Sequence, residues 1–534
     1  MNLLIASVPI VEKLSYLGPE IVLFVATVVV MVLGLSPNHG VRRSCAGVSI
    51  VALVIAGVMS AWLPTPPHSL LPNLMPFAKM LVAAVGVLLV MALSGTVDRE
   101  YESSLGRGGV FDGLRSTRGE FYAFILFSLT GLMLCASADD LIWLFLALEL
   151  VSLPTYVMVS ISTSGTRSQE AGIKYFFLGA LGAAFFLYGF AMLYGATGTT
   201  MLFGDGVTPG IAEVLANNVA TNGNIGGIAL VGVVMSIVGV SFKIAAVPMH
   251  FYTADVYEGA ASSVSAFLAF VPKAAGFISL MLLLSVVGWG YGGENSSLPE
   301  VLRVLLWVMA VMTMTVGNVL ALLQTNVKRV LAYSSIAHSG YMLVGLIAGP
   351  GASGAPLSQN GLAATLFYLL CYGFMNLGTF AVLSCLERRP GEEIETFEDL
   401  RGLCRSYPIL GWCMVICSLS LLGLPPLLGF AGKFYLFTSA ISAGEIALVV
   451  IMGLNSAVAA FYYLRLAGAP LLEKSAGDEV SGCPYRSRGI AAALSAASVV
   501  ALLPFAGRLM SASDKAATIR SPHAVAAVEP NAAK

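Results

Sequence analysis

Long apolar runs alternate with short polar connections along the whole chain, and most of the runs are long enough to cross a lipid bilayer. Because a membrane-spanning helix needs about 20 apolar residues, the pattern predicts an all-α polytopic membrane protein with about 14 transmembrane helices. The predicted spans are 17–35, 45–63, 77–95, 120–136, 141–161, 171–195, 226–256, 261–287, 301–323, 328–348, 361–386, 408–437, 442–467 and 489–508.

Composition and charge agree with a membrane location. Hydrophobic residues make up 57% of the chain and charged residues 11%, whereas soluble domains carry about 25% charged residues. The net charge of −1 offers no basic surface for nucleic acid. The cysteines show no metal-ligand spacing, and Cys413 and Cys417 are predicted to be packing residues. The start, MNLLIASVPIVEKLSYLGPE, lacks a basic segment and a small-residue cleavage site, which predicts a retained helix rather than a signal peptide.

Lysine and arginine residues divide sharply between the two sides of the predicted bundle. Connections after odd-numbered spans hold many of them, whereas connections after even-numbered spans hold none. Because cytoplasmic connections carry an excess of Lys and Arg, both termini are predicted to face away from the cytoplasm. The polar tail after Arg508 is expected to be poorly ordered. The residues of the odd-numbered connections are Arg42, Arg43, Arg99, Arg107, Arg115, Arg118, Arg167, Lys328, Arg329, Arg388, Arg389, Arg401, Arg405, Lys474, Arg486 and Arg488.

Two predicted spans contain helix breakers close to a lysine. Pro248 follows Lys243 in span seven, and Pro425 and Pro426 precede Lys433 in span twelve. Proline removes a backbone donor, and in lipid the freed backbone groups need other partners. A simple proline kink is the alternative interpretation. Five spans separate the two breaks, so if spans four to eight and nine to thirteen are copies, the second copy is inverted, as in many transporters.

Four ionisable residues lie deepest in the apolar runs, and they are the main candidates for function. They are Glu149, Lys243, Lys273 and Lys433. A charge at the bilayer centre costs about 2.5–3.5 kcal/mol, so each must be paired, hydrated or used. A Glu149–Lys243 pair is expected to keep both groups ionised. A proton could then pass through Lys273 to Lys433, with His338 as a relay because histidine titrates near neutral pH.

Three residues have alternative interpretations that stay open. Lys174 lies a few residues into span six, where it fits either proton transfer or an anchor at the membrane interface. His338 fits a relay, although a histidine bonded to one backbone carbonyl would give the same pattern. His250, just after Pro248, fits a functional role and a structural role equally well.

Several other charged residues lie at span ends and are expected to be structural. Lys79 begins span three and is expected to extend its ammonium group to the interface. Glu445, Asp139 and Asp140 lie at outer span ends and are expected to be solvated. Lys328, at the start of span ten, fits a topology anchor or a gate for protons.

Six segments, taken in order, resemble the antiporter-like membrane subunits of respiratory complex I over about 120–468. They are LFLALELVSLPTYV, EAGIKYFFLGALGAAFFLYG, SFKIAAVPMHFYTADVYEGA, SSVSAFLAFVPKAAGF, NVKRVLAYSSIAHSGYM and GFAGKFYLF. The resemblance implies fourteen helices with two inverted five-helix repeats and broken helices seven and twelve. It matches Glu149 to the glutamate on helix five, Lys243 and Lys273 to the lysines on helices seven and eight, and Lys433 to the ionisable residue on helix twelve.

Within that family, the chain looks like the N-type subunits, called subunit 2 in mitochondria and chloroplasts. Only about 26 residues follow the last predicted span, which disfavours the distal subunit with its lateral helix. The middle subunit usually has glutamate at the position of Lys433. The connections 98–119 and 196–225 match no motif of the family.

The resemblance implies a proton-translocating subunit of NADH–quinone oxidoreductase in a bacterial inner membrane, with both termini periplasmic. NADH, FMN, iron–sulfur clusters and quinone are then expected in partner subunits and none of them on this chain. Alternatives are a subunit of a multisubunit cation/proton antiporter or membrane-bound hydrogenase, and a structural spacer of the membrane arm. The expected divisions are a three-helix segment at 1–119, a first five-helix repeat at 120–290, a second, inverted repeat at 301–468, and a last helix with its polar tail at 469–534.

Overall fold

The computed structural model describes residues 14–64, 69–163, 165–204, 208–289, 298–351, 356–389, 392–474, 480–482 and 485–519, and this part of the chain is almost entirely helical. The helices are α1 (Gly18–Gly34), α2 (His39–Arg43), α3 (Cys45–Ser60), α4 (Leu74–Ala92), α5 (Arg99–Gly106), α6 (Arg118–Ala136), α7 (Leu141–Ile161), α8 (Thr166–Thr197), α9 (Ile211–Asn222), α10 (Gly227–Ser241), α11 (Thr253–Gly259), α12 (Ser262–Val287), α13 (Glu300–Leu322), α14 (Val327–Ala348), α15 (Gly361–Ser384), α16 (Leu403–Ser406), α17 (Pro408–Leu422), α18 (Leu428–Ser442), α19 (Ile446–Leu472), α20 (Arg486–Ala501) and α21 (Ala506–Ala516).

Short strands form one small antiparallel sheet beside the helices. Its order is β2-β1-β3, with β1 at Leu386–Arg389, β2 at Glu392–Glu393 and β3 at Ser481–Gly482. In register, Glu387 faces Glu393 on one side and Ser481 on the other. The sheet therefore connects the segment after α15 to the segment before α20.

Helix length and composition support a polytopic membrane protein. In the described part, 10 helices are long and apolar enough to cross a membrane, or up to 12 if each of two bent helix pairs counts as one span. The apolar helices α1 and α10 are shorter than that criterion. The count of fourteen spans therefore stays a prediction.

Both breaks predicted from proline and glycine are visible as interrupted helices. Between Ser241 and Thr253 the chain is not helical, and Pro248 lies in this stretch. Helix α17 ends at Leu422, where Gly423 has a φ of 87° and terminates the helix in the left-handed conformation that glycine favours. Each break leaves backbone carbonyl groups that need a donor.

The centre of the bundle is formed by α12, all of whose residues are buried, together with α14 and α15. Outer helices instead expose large apolar side chains, such as Phe24, Phe177 and Phe461, as expected for helices that face lipid. Small residues allow close helix packing. At Gly131 of α6, a Cβ atom would lie only 2.7 Å from the backbone nitrogen of Val151 on α7.

The chain after Arg508 is more ordered than the sequence predicts. Helix α21 continues to Ala516, and Met510 is fully buried. The Asn360 side chain donates a hydrogen bond of 2.9 Å to Asp514. The expectation of disorder is therefore wrong for the first part of the tail, because one apolar face of α21 packs on the bundle. Residues 1–13 and 520–534, on which the other terminal predictions fall, lie outside the described residues.

The connection 98–119 is held on the bundle by a charged cluster. Glu102 of α5 accepts hydrogen bonds of 3.0 and 2.8 Å from Arg42 and lies 3.4 Å from Arg118. Burial alone would raise the pKa of Glu102, but the hydrogen bonds from Arg42 and the nearby Arg118 charge outweigh burial and hold that pKa below its usual value.

Candidate functional site

The first buried pair joins the break after α10 to helix α7. Lys243 Nζ lies 3.2 Å from a carboxylate oxygen of Glu149 and also donates to the hydroxyl of Ser152. Glu149 and Ser152 are three residues apart, so they share one face of α7. The rings of Phe186 and Phe242 lie within 6 Å of the ammonium nitrogen, at 5.6 and 5.7 Å. The lysine charge is therefore compensated by one carboxylate inside an apolar environment.

Lys273, on the central helix α12, lies next to the same break. Its Nζ donates to the carbonyl oxygen of Ile244 at 3.1 Å, to the carbonyl oxygen of Ser335 at 2.6 Å and to the hydroxyl of Ser339 at 2.5 Å. Ile244 directly follows Lys243, and its carbonyl is one of those freed by the break. The ammonium group of Lys273 thus donates a hydrogen bond to a carbonyl freed by the break and connects the broken helix to α14.

His338 lies between two tyrosine hydroxyls rather than against a backbone carbonyl. Nδ1 is 2.6 Å from the Tyr368 hydroxyl, and Nε2 is 2.7 Å from the Tyr463 hydroxyl. Tyr463 is also hydrogen-bonded to Ser334. Because a neutral imidazole has one donor and one acceptor nitrogen, one tyrosine donates to the ring and the other accepts from it. If the two tyrosines exchanged donor and acceptor roles, one ring nitrogen would gain a proton and the other would lose one, so that a proton would cross the ring.

Lys433 is the ionisable residue of the second break. Its Nζ donates to the carbonyl oxygen of Leu422, the last residue of α17, at 2.8 Å. The same nitrogen lies 5.1 Å from the ring centroid of Tyr341, a cation–π distance. No carboxylate of the described residues forms an ion pair with it. The Tyr341 hydroxyl accepts a hydrogen bond of 2.9 Å from Asn318.

Helix α14 connects the two halves of this arrangement. Ser335 and Ser339 contact Lys273, His338 lies on the intervening turn, and the His338 and Tyr341 ring centroids are 5.6 Å apart. Tyr341 in turn contacts Lys433. The structure therefore brings five of the six predicted site residues into one row, buried except for the partly exposed Glu149, while their roles in proton transfer stay predictions. These residues are Glu149, Lys243, Lys273, His338 and Lys433.

Lys174, the sixth predicted residue, lies away from the row. Its side chain is 43% exposed and forms ion pairs with Glu170 at 2.7 Å and Asp255 at 3.1 Å. Asp255 also pairs with Arg329 at 2.9 Å. Lys174 therefore belongs to an exposed charged cluster at the end of α8, and its role in proton transfer remains untested. His250 lies in the first break, with a buried Nδ1 that has no hydrogen-bond partner among the described residues.

Two expectations for structural charges are wrong. Lys79 does not reach the interface: it is fully buried, and its Nζ lies 2.8 Å from Glu20 of α1. Glu445 is 8% exposed and pairs with Arg303 at 2.9 Å. In both cases a partner distant in sequence compensates the charge, inside the bundle for Lys79 and beside the half-exposed Arg303 for Glu445. Asp140 is half-buried and caps α7.

The tyrosine and asparagine groups of α13, α15 and α19 that surround the row were not predicted. Besides Tyr368 and Tyr463, the Tyr372 hydroxyl donates to Ser335 at 2.8 Å. Asn318 also accepts a hydrogen bond of 2.9 Å from Tyr462. The available signal was the presence of polar groups within apolar runs such as LFYLLCYGFMN, but tyrosine is common in such runs and gives a weaker signal than lysine.

Comparison with known proteins relates this arrangement to a family. The profile of the family described as "NADH:quinone oxidoreductase/Mrp antiporter, TM" matches residues 138–459. The NADH-quinone oxidoreductase subunit N of Trichlorobacter lovleyi is 38% identical over 460 residues, which cover 85% of this chain and 86% of that protein. The chain belongs to the subunit N family. The prediction of an N-type subunit is thereby confirmed.

Solved structures extend this relationship to the fold of the subunit. A chain of respiratory complex I from Thermus thermophilus is 31% identical, with a TM-score of 0.71, and the match covers 92% of this chain and 98% of that one. A chain of the Mrp complex from Dietzia sp. DQ12-45-1b has a TM-score of 0.72 at 19% identity, covering 95% of this chain and 97% of that one, so it shares the fold alone. Among the described residues of this subunit N family member, no three His, Cys, Asp or Glu side chains converge as a metal site.

Proposed function

We propose that this subunit moves protons across a bacterial inner membrane as part of NADH-quinone oxidoreductase. The observation that carries the proposal is the buried row itself, in which each ionisable group is hydrogen-bonded or packed against groups that lead to the next. Buried ionisable residues in membrane helices are costly and commonly mark ion pathways. NADH, FMN, iron–sulfur clusters and quinone would be bound by partner subunits, since the relatives are named as subunit N of NADH-quinone oxidoreductase.

In this proposal the groups of the row have different tasks. Glu149 would hold Lys243 in its charged form, because a neighbouring carboxylate favours an ammonium group. Movement of the carboxylate away from Lys243 would favour proton release towards Lys273. His338 would then relay the proton by exchanging its donor and acceptor tyrosines, and Lys433 would connect to the other half-channel.

The proposal includes the topology of the family. Fourteen spans would form a three-helix segment, two inverted five-helix repeats and a last helix, with both termini periplasmic. Two features support it: interrupted helices occur at both expected places, and in each break a lysine ammonium donates to a freed carbonyl, from Lys273 to Ile244 and from Lys433 to Leu422.

The test is Lys243→Ala in the assembled enzyme, with NADH-driven proton pumping measured in closed vesicles. We expect at least about a hundredfold slower pumping, the lower end of what a positioned proton-transfer group contributes. Lys474→Ala, which removes an exposed lysine of a connection, is the matched control and should pump normally. Full pumping by Lys243→Ala with normal assembly would contradict the proposal.

A further inference from the structure

A large cavity opens at the arginine-rich end of the bundle, where α7, α11 and α12 meet the starts of α5, α8 and α14. Its volume is about 730 Å³. The rim includes the exposed residues Thr163 and Arg167, whereas the inner wall includes the buried residues Ser162, Ala261 and Lys328. The cavity thus leads from the exposed surface to the first turn of the fully buried helix α12.

Glu393 of strand β2 lies at the inner wall of this cavity. One of its carboxylate oxygens accepts hydrogen bonds from the backbone nitrogen of Ser262 at 2.7 Å and from the Ser262 hydroxyl at 2.6 Å. The same oxygen lies 3.5 Å from Nζ of Lys328, and the side chain is 16% exposed. The carboxylate is therefore fixed at the N-terminus of α12 and is still reached by solvent.

Helix α12 leads directly from Glu393 to the buried row. Ser262, its first residue, and Lys273 are 11 residues apart (273 − 262), which is three turns and about 16 Å along the same helix face. Ser265 and Ala269 lie on or next to this face. Their small side chains leave more room for water than large apolar residues would.

The charges that face Glu393 make the cavity acidic. Counting Glu393, the lining has 6 carboxylates and 4 cationic groups. The lining is therefore mixed with a net negative charge, and a net negative cleft raises the local concentration of cations. The other charged groups of the lining are Asp98, Arg99, Glu100, Arg167, Glu258, Lys328, Glu392, Glu395 and Arg488.

We propose that this cavity is a vestibule for proton uptake. Glu393 collects protons there, and they then pass along α12 to Lys273. The Glu393 carboxylate accepts a proton from an acid in the vestibule, becomes a neutral carboxyl group and returns to the carboxylate when it releases that proton to a water or hydroxyl beside α12. The inference rests on the proposed function and adds the place and the group of uptake.

The first experiment is Glu393→Gln in the assembled enzyme, with proton pumping measured in inside-out vesicles over a range of external pH. We expect uptake about tenfold slower, the lower end of what charged clefts contribute to association rates. Because uptake on the alkaline limb is proportional to proton concentration, this loss moves that limb about one pH unit towards lower pH. A small mobile acid, such as imidazolium, should restore pumping. A purely structural role of Glu393 would give neither the shift nor the rescue.

Glu398→Gln is the matched control, because Glu398 is an exposed carboxylate of the same connection and does not line the cavity. It should leave the pH profile in place. If Glu393→Gln impairs assembly, Glu393→Asp keeps a carboxylate and should retain pumping with the original profile. An unchanged rate and profile in assembled Glu393→Gln would overturn the inference.

The second experiment measures water access directly in an enzyme that pumps. Ala261→Cys places a thiol on the vestibule wall, and Ser279→Cys places one in the buried middle of the same helix. Both are made in a Cys404→Ser and Cys483→Ser background and treated in inside-out vesicles with a charged, membrane-impermeant methanethiosulfonate reagent. We expect at least about tenfold faster labelling of Ala261→Cys, consistent with exposure controlling thiol reactivity. Equal, slow labelling of both would overturn the inference.

Failure of the inference can be distinguished from failure of the proposed function. If Lys243→Ala stops pumping while Glu393→Gln pumps normally, protons use another uptake route and only the vestibule is rejected. If Lys243→Ala also pumps normally, the buried row itself is not the pathway.

Discussion

Each of the two broken helices carries a buried lysine, but the charge of that lysine is compensated differently in the two. In the first break, Lys243 has a carboxylate partner, Glu149, at 3.2 Å. In the second break, Lys433 has only the Leu422 carbonyl and the Tyr341 ring among the described residues. A nearby carboxylate favours the ammonium form, whereas burial without one disfavours it. The Glu149 carboxylate therefore offsets part of the cost of burying the Lys243 charge, whereas Lys433 has no such offset among the described residues.

The breaks also differ in which helix supplies the donor. The carbonyl of Ile244 in the first break is satisfied by Lys273 of the neighbouring helix α12, whereas the carbonyl of Leu422 is satisfied by Lys433 of its own broken span. Loss of Lys273 would remove the hydrogen bonds that connect α12 to the break and to α14, although Ser339 also donates to the Ile244 carbonyl. Loss of Lys433 leaves one unsatisfied carbonyl next to its own helix.

The largest expected effect is that of Lys433→Met, which removes the unpaired lysine and keeps an apolar side chain of similar length. We expect NADH-driven pumping to fall by at least about a hundredfold, while assembly is retained because no buried partner charge is left behind. Lys515→Met, at an exposed lysine of α21, is the control. Normal pumping by assembled Lys433→Met would favour a structural spacer, and the contrast between the two halves would lose its functional meaning.

Glu149→Gln should destabilise the first half in addition to disturbing the proton transfer proposed for Lys243. Removal of one partner of a buried ion pair costs about 3–5 kcal/mol, because the other charge remains buried and uncompensated. The double variant Glu149→Gln/Lys243→Met should recover most of this loss. The measurement is the thermal midpoint of the purified enzyme, detected as release of this subunit from the complex. A double variant no more stable than Glu149→Gln alone would show that the pair is not the source of the effect.

The buried row could be predicted from the sequence because an ionisable residue within an apolar run is a strong physical signal. Lys243 and Lys433, each beside a proline, were visible for this reason, and the breaks in the helices followed from the same prolines. The partners of Lys79 could not be found in this way. Glu20 lies 59 residues earlier in the chain, and the two residues meet only because α1 and α4 both pack against α3 and α6.

The tyrosine hydroxyls around the row could not be predicted from the sequence, for a different reason. Tyrosine is partly apolar, so Tyr368 and Tyr463 within apolar runs gave no warning that their hydroxyls would converge on His338. The position of Glu393 depends on a short hairpin that folds back over α12. Hydrophobic periodicity predicts helices in a bundle, but it carries no information about where a polar connection of this kind packs.

Tyr463→Phe tests whether the second half depends on the hydroxyls next to His338. The variant removes the partner of Nε2 and of the Ser334 hydroxyl, at a cost of about 1–3 kcal/mol for each buried group left unpaired. We expect pumping to fall by about tenfold, less than for Lys433→Met, because water can replace a hydroxyl. Tyr435→Phe, whose ring packs on Phe367 at 5.6 Å, is the control. A loss in both variants would point to packing rather than to the relay.

The smallest effect on pumping is expected from a change at Asp399, beside the hairpin that carries Glu393. This hairpin contacts the first half of the molecule. Asp399 accepts hydrogen bonds from Arg388 at 2.7 and 2.9 Å and from the backbone nitrogen of Thr396 at 2.8 Å. Partial burial alone would raise the pKa of Asp399, but these hydrogen bonds outweigh it and hold the pKa below its usual value. A lowered carboxyl pKa stabilises the folded hairpin at pH values above the unfolded pKa of about 3.9.

This stabilisation is lost as the pH falls from about 4 through the lower folded pKa. Amide hydrogen exchange of Glu395 and Thr396, whose backbone nitrogens both donate to Asp399, should therefore show reduced protection in that range, after correction for intrinsic exchange. Asp399→Asn should remove the pH dependence and weaken protection at neutral pH by severalfold, because the charge-assisted bonds to Arg388 are lost. Pumping should slow only to the extent that Glu393 moves, so its alkaline limb should shift less than in Glu393→Gln. A larger shift in Asp399→Asn would mean that hairpin order, and not the Glu393 carboxylate, controls proton uptake.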